Sequence, residues 1–427
     1  MKKIVSLLLC LAMVLCLAGC SKTDEKAPET SDPGTTESQD KPAEEQPAAS
    51  DFKIGVVLVG DENEGYTYAH IAGIKNAMSA LNIADNQVVW YYSIPESEQC
   101  YDKCIACVEA GCKLVLTNSY GHQTYCQQAA EEHPEVQFVA LTGDTALKSG
   151  LKNFSNAFNK TYESRYVSGI VAGMKIKELV DAGKLTDKNY DADGNVKIGY
   201  VGAYPYAEVV SGYTGFYLGI KSVFEKVSME VSYTNSWFDI TAEGTTAEKL
   251  ISDGCVIIGQ HADSTGAPAA VEAANKAGTV VYSVGYNVDM LAVAPTAALT
   301  SSTNDWGVFY KYAFETAMKG EDLATDWSEG YETGAVGITD LGASCAAGTA
   351  EAVAKAEQDI KDGKLFVFDI NNFTVGGQKI ESTYCFDSDG DFVYDQVEAI
   401  VDGHYDESSY ISAPSFSLRI DGITELN

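Results

Sequence analysis

The run FKIGVVLVGDENEGYTYAHIAGIKNAMSAL, residues 52–81, sets the frame for the rest of the chain. Its first eight residues are mostly apolar, with no polar alternation, which predicts a strand buried on both faces as in a parallel sheet. A loop of Gly, Asp, Asn and Glu follows from Gly60 to Gly65, and then a helical pattern from Tyr66 to Leu81. The same unit recurs down the chain. Strands are predicted over 87–92, 113–117 and 136–141, with helices over 97–110 and 123–133 between them. A second series opens at Lys197, with strands over 197–201, 229–233, 256–259 and 280–284 and helices over 207–226, 242–253 and 266–277. Alternation at this spacing builds doubly wound α/β sheets, and two series imply two similar Rossmann-like lobes. Ligands of open α/β sheets bind beyond the C-terminal strand ends, so the expected site is a cleft between facing lobes.

The residues just after those strands are therefore the candidates. Asp61, Ser119 and Tyr120 follow strands of the first series, and Trp237, Asp239, His261, Asp263, Asn287 and Asp289 follow strands of the second. Aromatic rings recur there beside carboxylates, amides and hydroxyls. That mixture suits a flat polar heterocycle: its faces stack on rings, and its edge or an attached sugar donates hydrogen bonds to carboxylates.

The N-terminus reads as a leader. Lys2 and Lys3 precede an apolar stretch too short to span a bilayer comfortably, and Leu17-Ala18-Gly19-Cys20 resembles the lipobox of bacterial lipoproteins. A signal peptide over 1–20 and a lipid on the Cys20 thiol are expected. Residues 21–50 contain no aromatic and no branched aliphatic side chain, so nothing there can be buried to offset the entropy of ordering; they read as a disordered tether. The formal net charge of −32 argues against nucleic acid, whose phosphates need clustered Lys and Arg.

Cys100, Cys104 and Cys107 have the C-x3-C-x2-C spacing of radical iron–sulfur enzymes. They fall inside a helical pattern, however, where positions i, i+4 and i+7 share one face. A cluster loop would need irregular backbone for three thiolates to converge, so a buried stripe of small thiols is the expected role, with local disulfides or redox sensing as alternatives. Asp387–Glu398 resembles a calcium loop, but Phe392 stands where the sharp turn needs glycine and the flanks read as strands; a hairpin turn is expected, and no metal site.

Longer blocks carry a family resemblance. GYTYAHIAG (65–73), TYESRYVSGIVAGMKIK (161–177), IGYVGAYPYAEVVSGYTGFYLGIKSV (198–223), NSWFD, GQHADST, GYNVDM and NDWGVFY follow in one order. Their series, over about 52–320, resembles the basic membrane protein family, the purine-nucleoside-receptor-like substrate-binding lipoproteins of ABC importers. The resemblance implies a type I periplasmic-binding-protein fold with a hinged cleft. It also implies a purine nucleoside or nucleobase ligand, ABC permease and ATPase partners, and a monomer on the outer face of the cell membrane, with no cofactor and no catalysis. Residue by residue it implies ligand contacts at Tyr66, Phe216, Asp239, Asp263, Asn287, Asp289 and Trp306. Tyr66 departs from the branch's Trp, and Thr214 from its Asn. The expected lobes are 51–160 plus about 287–345, and 161–286 plus about 346–427. Alternatives are an extracellular sensor of the same fold feeding a membrane kinase and a nucleoside-processing enzyme; the latter needs a metal-binding Asp cluster or a base–acid pair in the cleft, and His261 and Asp263 are the nearest match to such a pair.

Overall fold

The computed structural model describes residues 52–389, 391 and 393–427. The expected signal peptide, the Cys20 expected to carry a lipid, and the expected tether lie outside the described residues.

The first sheet grows from the opening run. Strand β1 (Ile54–Val57) is buried along its whole length and lies between β2 (Val88–Tyr91) and β3 (Leu114–Thr117), with β4 (Gln137–Leu141) and β5 (Phe154–Ala157) beyond. All these pairings are parallel, with Ile54 opposite both Val88 and Leu114. Crossovers are made by α1 (Gly65–Leu81), α2 (Glu98–Glu109), α3 (Gln123–Glu132) and the short α4 (Ala146–Ser149). Gly55 has a specific packing role: a Cβ there would stand 2.4 Å from Cys107 Sγ. Helix α2 lies directly on the sheet at that point. Cys100, Cys104 and Cys107 are buried on its inner face with Cys112 and Cys126, and the eight described cysteines are all free thiols.

The second sheet follows α5 (Thr161–Asp181). Its parallel strands are β6 (Val196–Gly202), β7 (Val227–Tyr233), β8 (Ile257–Gln260), β9 (Tyr282–Tyr286) and β10 (Ala298–Asn304), with α6 (Ala207–Val223), α7 (Ile240–Asp253) and α8 (Gly266–Lys276) as crossovers. The chain then returns to the first sheet. Helix α9 (Trp306–Met318) packs against α1, and β11 (Asp326–Trp327) extends the sheet beside β5. It crosses back for β12 (Val336–Ile338), antiparallel to β10, and for α10 (Thr349–Lys361), which packs on α5. Two small hairpins, β13 (Tyr384–Phe386) with β14 (Gln396–Glu398) and β15 (Ile400–Val401) with β16 (His404–Tyr405), precede β17 (Ile423–Glu425), which closes the second sheet beside β7.

These memberships correct the expected boundaries. Within 287–345 only α9 and β11 join the first sheet, whereas β10 and β12 belong to the second. The chain thus passes between sheets after β5, after β10 and after β11. At the first two passages Asn304 Oδ1 accepts from Thr161 Oγ1 at 2.8 Å and from Asn159 Nδ2 at 3.3 Å, a buried polar tie between the crossing strands. Two sheets joined by three thin passages form a hinged pair, the repertoire of domain closure around a ligand.

Candidate functional site

A cavity of about 380 Å³ lies where the C-terminal strand ends of the two sheets face each other. From the first sheet it receives Asp61, Glu64 and Tyr66 after β1, Glu96 after β2, Tyr120 after β3 and Thr142 after β4. The second sheet contributes Glu208 after β6, Trp237 and Phe238 after β7, His261 and Asp263 after β8, and Tyr286 at the end of β9. Five of the lining side chains are carboxylates, Asp61, Glu64, Glu96, Glu208 and Asp263, and no Lys or Arg stands among the described lining residues.

Each wall is fixed by its own hydrogen bonds. Glu64 caps α1, accepting from Tyr66 N at 2.7 Å and Thr67 N at 2.8 Å. Burial nevertheless raises its carboxyl above the ordinary range, because desolvation outweighs the two donors. Tyr66 donates its hydroxyl to Asn118 O, and its ring meets the edge of His70, which stacks on Trp306 at 4.3 Å. Glu96 accepts from Ser119 Oγ at 2.6 Å and Gly121 N at 2.9 Å and so sets the loop that carries Tyr120.

On the other wall, Asp263 Oδ1 accepts from Asn287 Nδ2 at 2.6 Å. Burial raises the Asp263 carboxyl well above its usual value, and the charges of Glu64, Glu243 and Glu208 add to that. His261 Nε2 lies 3.2 Å from Glu208 Oε1. Burial, with the Arg165 guanidinium second, pushes this imidazole down to about 4, so it is neutral at pH 7. A neutral ring beside a carboxylate carries its proton on Nε2, the nitrogen that faces Glu208. Arg165 lies fully buried behind the wall, 3.7 Å from the centre of the Tyr286 ring, and its Nη1 donates to Gln260 O at 2.5 Å. A cation against the ring face holds Tyr286 in place.

Of the residues expected from the sequence, Asp61, Tyr66, Ser119, Tyr120, Trp237, His261 and Asp263 line the cavity. Five do not. Phe216 is buried in the core against Tyr200, because α6 turns that face toward the sheet. Asp239 caps α7, accepting from Thr241 N at 3.0 Å and Ala242 N at 2.9 Å. Asn287, at φ 62°, stands behind Asp263 rather than on the cavity. Asp289 accepts from Leu291 N at 2.7 Å and lines a neighbouring hollow of about 390 Å³. Trp306 is buried one layer back, behind His70. Thr214 is likewise buried in α6, away from the cavity.

Glu64, Glu96, Thr142, Glu208 and Tyr286 were not singled out by the sequence. All five follow or end a strand, so the strand-end rule covers them, but none stands out in composition. The strands flanking the Asp387 run, β13 and β14, pair antiparallel as the hairpin reading expects, residues 390 and 392 between them lie outside the described residues, and Asp387 pairs with Lys148 at 3.3 Å.

The family described as ABC transporter substrate-binding protein PnrA-like matches residues 53–367. A purine-binding protein of Brucella abortus is 29% identical over 289 residues, 66% of this chain and 75% of that relative. A provisionally named ABC transporter glucose-binding protein of Haloferax volcanii is 31% identical over 255 residues, 60% of this chain and 59% of that relative. Among solved structures, an ABC transporter solute-binding protein of Aeropyrum pernix superposes with a TM-score of 0.61 at 17% identity, covering 74% of this chain and 93% of that one.

Proposed function

The chain belongs to the PnrA-like ABC transporter substrate-binding proteins, and from that premise we propose that it captures a purine nucleoside or nucleobase between its two sheets and delivers it to a membrane permease. The observation that carries this reading is the cavity itself, aromatic side chains and five carboxylates with no Lys or Arg among the described lining residues. Trp237, Tyr66 and Tyr120 offer faces and edges to a flat ring, and each base–aromatic stack contributes about 1–3 kcal/mol. Carboxylates accept from sugar hydroxyls and ring N–H groups and repel phosphate, which favours nucleosides over nucleotides. Two stacks and a few such bonds reach the roughly 8 kcal/mol of a micromolar complex.

The protein works by closure, not by chemistry. His261 is held neutral beside Glu208, and its role is to shape the wall. Lobe closure on the ligand is what the permease reads. The site of action is the outer face of the cell membrane, with Leu17–Cys20 supplying the lipid anchor. Among the described residues no helix is long and apolar enough to cross a membrane.

Thermal melting with adenosine, guanosine, inosine, hypoxanthine, AMP and glucose tests the reading. A ligand at about 100 times its dissociation constant adds about 2.7 kcal/mol of stability. Stabilisation by purines and not by AMP or glucose is the expected result. Stabilisation by glucose alone, or by none of the six, would overturn it.

A further inference from the structure

Beside the ligand cavity lies a second and larger one, of about 730 Å³. The two share Tyr120, Thr142 and Glu208, so they adjoin along the rim between the lobes. The outer wall of the second chamber comes from Phe386, Asp387, Tyr394, Ile411 and Arg419, all in a strap over residues 384–419. The family match ends at residue 367, so this wall is built by chain that lies beyond it.

The strap is fastened, not draped. Toward the second sheet, buried Glu407 accepts from Ser211 Oγ at 2.6 Å and Phe416 stacks on Phe368 at 4.2 Å, while within the strap Glu407 also accepts from Ser415 N at 3.0 Å and Phe416 N at 2.9 Å. Toward the first, Asp387 pairs with Lys148 at 3.3 Å, and Ser412 N donates to Asp326 Oδ1 at 2.7 Å.

The two chambers differ in chemistry. The first has carboxylates without a described cation. The second has both signs, set among the rings of Tyr120, Tyr206, Phe386 and Tyr394: Lys148, paired with Asp387, and Arg419, whose Nε pairs with Glu425 at 3.0 Å and whose Nη1 donates to Ser417 O at 2.7 Å, stand there with Asp144 and Glu208. A doubly charged phosphate would face three carboxylates there. A group that carries one ammonium and one carboxylate on a short aliphatic linker finds lining charge of the opposite sign for each end, shared with the ion pairs already there, and apolar walls for the linker. We propose that the second chamber is an extension subsite, and that this protein takes nucleosides bearing an amino-acid tail, with the tail passing between Tyr120 and Glu208 into the space the strap encloses. This rests on the nucleoside reading of the first cavity.

Isothermal titration of the full chain in detergent tests it, with adenosine, its 5′-methylthio derivative, S-adenosylhomocysteine and AMP as probes. S-adenosylhomocysteine should bind at least about tenfold more tightly than adenosine, which corresponds to about 1.4 kcal/mol. The methylthio compound should gain less, and AMP should bind more weakly than adenosine. Arg419→Ala and Tyr394→Ala should each pull the S-adenosylhomocysteine affinity toward that of adenosine and leave adenosine itself within about twofold. Equal or weaker binding of S-adenosylhomocysteine, with adenosine bound, overturns the subsite and leaves the nucleoside reading intact. So does a tail advantage that neither substitution touches, or a loss shared equally by both ligands. Failure of all four probes to bind removes both readings.

Discussion

Asp263 is a carboxyl group whose surroundings are arranged against its charge. It is buried, three other carboxylates raise its pKa, and its described side-chain donor is Asn287 Nδ2. Removing that donor leaves a buried oxygen unpaired, which costs about 1–3 kcal/mol. Asn287→Ala should therefore lower the melting temperature and weaken purine binding together, as melting curves and titrations would register. An unchanged melting temperature would mean that the Asp263–Asn287 bond is not held in solution. At this scale the sequence was legible only in part. Strand-end position picked out Asp263 and His261, because a residue following a buried parallel strand is carried to the cleft end of its sheet whatever its type. It did not separate Asn287 or Asp239, whose carboxyl and amide groups are spent on a neighbour or a helix end. The pairing of Glu208 was unreadable for a different reason: its partner, His261, lies 53 positions away, and only the fold brings them together.

Helices α5 and α6 illustrate what an element needs that composition hides. A Cβ on Gly219 would stand 2.0 Å from Tyr166 O, and one on Gly169 would stand 2.2 Å from Phe216 O. Backbone cannot yield as a side-chain end can, so Gly219→Ala forces the helices apart. It should destabilise the protein by about 1–3 kcal/mol or more, measured by denaturant unfolding. Gly244→Ala, in α7, provides the control: its nearest neighbour would be at an ordinary 3.5 Å, and a small effect is expected. The same scale explains the misplaced lobe boundary. Strand β10 reads ALTSSTN, with hydroxyls where a buried strand ordinarily has branched aliphatics. Its burial is nevertheless nearly complete, because Thr300 Oγ1 donates to Thr339 O at 2.9 Å and Ser302 shares a 2.7 Å hydrogen bond with Ser164. Partners so distant in sequence leave no periodic trace, whereas β1 declares itself by apolar content alone. The thiol stripe on α2 was legible because helical spacing fixes a face without reference to anything else.

Over the whole molecule the dominant electrostatic fact is acidity, a formal net charge of −32. Three carboxyls, those of half-buried Glu163 and of buried Glu243 and Glu407, are each pushed up to about 7, chiefly by loss of hydration. A carboxyl whose folded pKa exceeds its unfolded value holds extra protons in the native state. Its stabilising contribution is complete below the unfolded pKa and disappears as pH rises through the folded one. Melting temperature should accordingly fall as pH rises from about 4.5 through about 7, and Glu407→Gln should flatten that dependence. A melting temperature that climbs over this interval would contradict the assignment.

The strap over 384–419 has a mechanical consequence. Because it holds the second sheet through Glu407 and the first through Asp387 and Ser412, it spans the gap across which the hinge must open. Such a span acts as a check on a door: the amplitude of opening is limited by its slack as well as by the three passages. Lys148→Ala, which releases one fastening, should enlarge the ligand-free radius of gyration in small-angle scattering and speed ligand escape. An unaltered radius and escape rate would leave the passages alone in control of the swing.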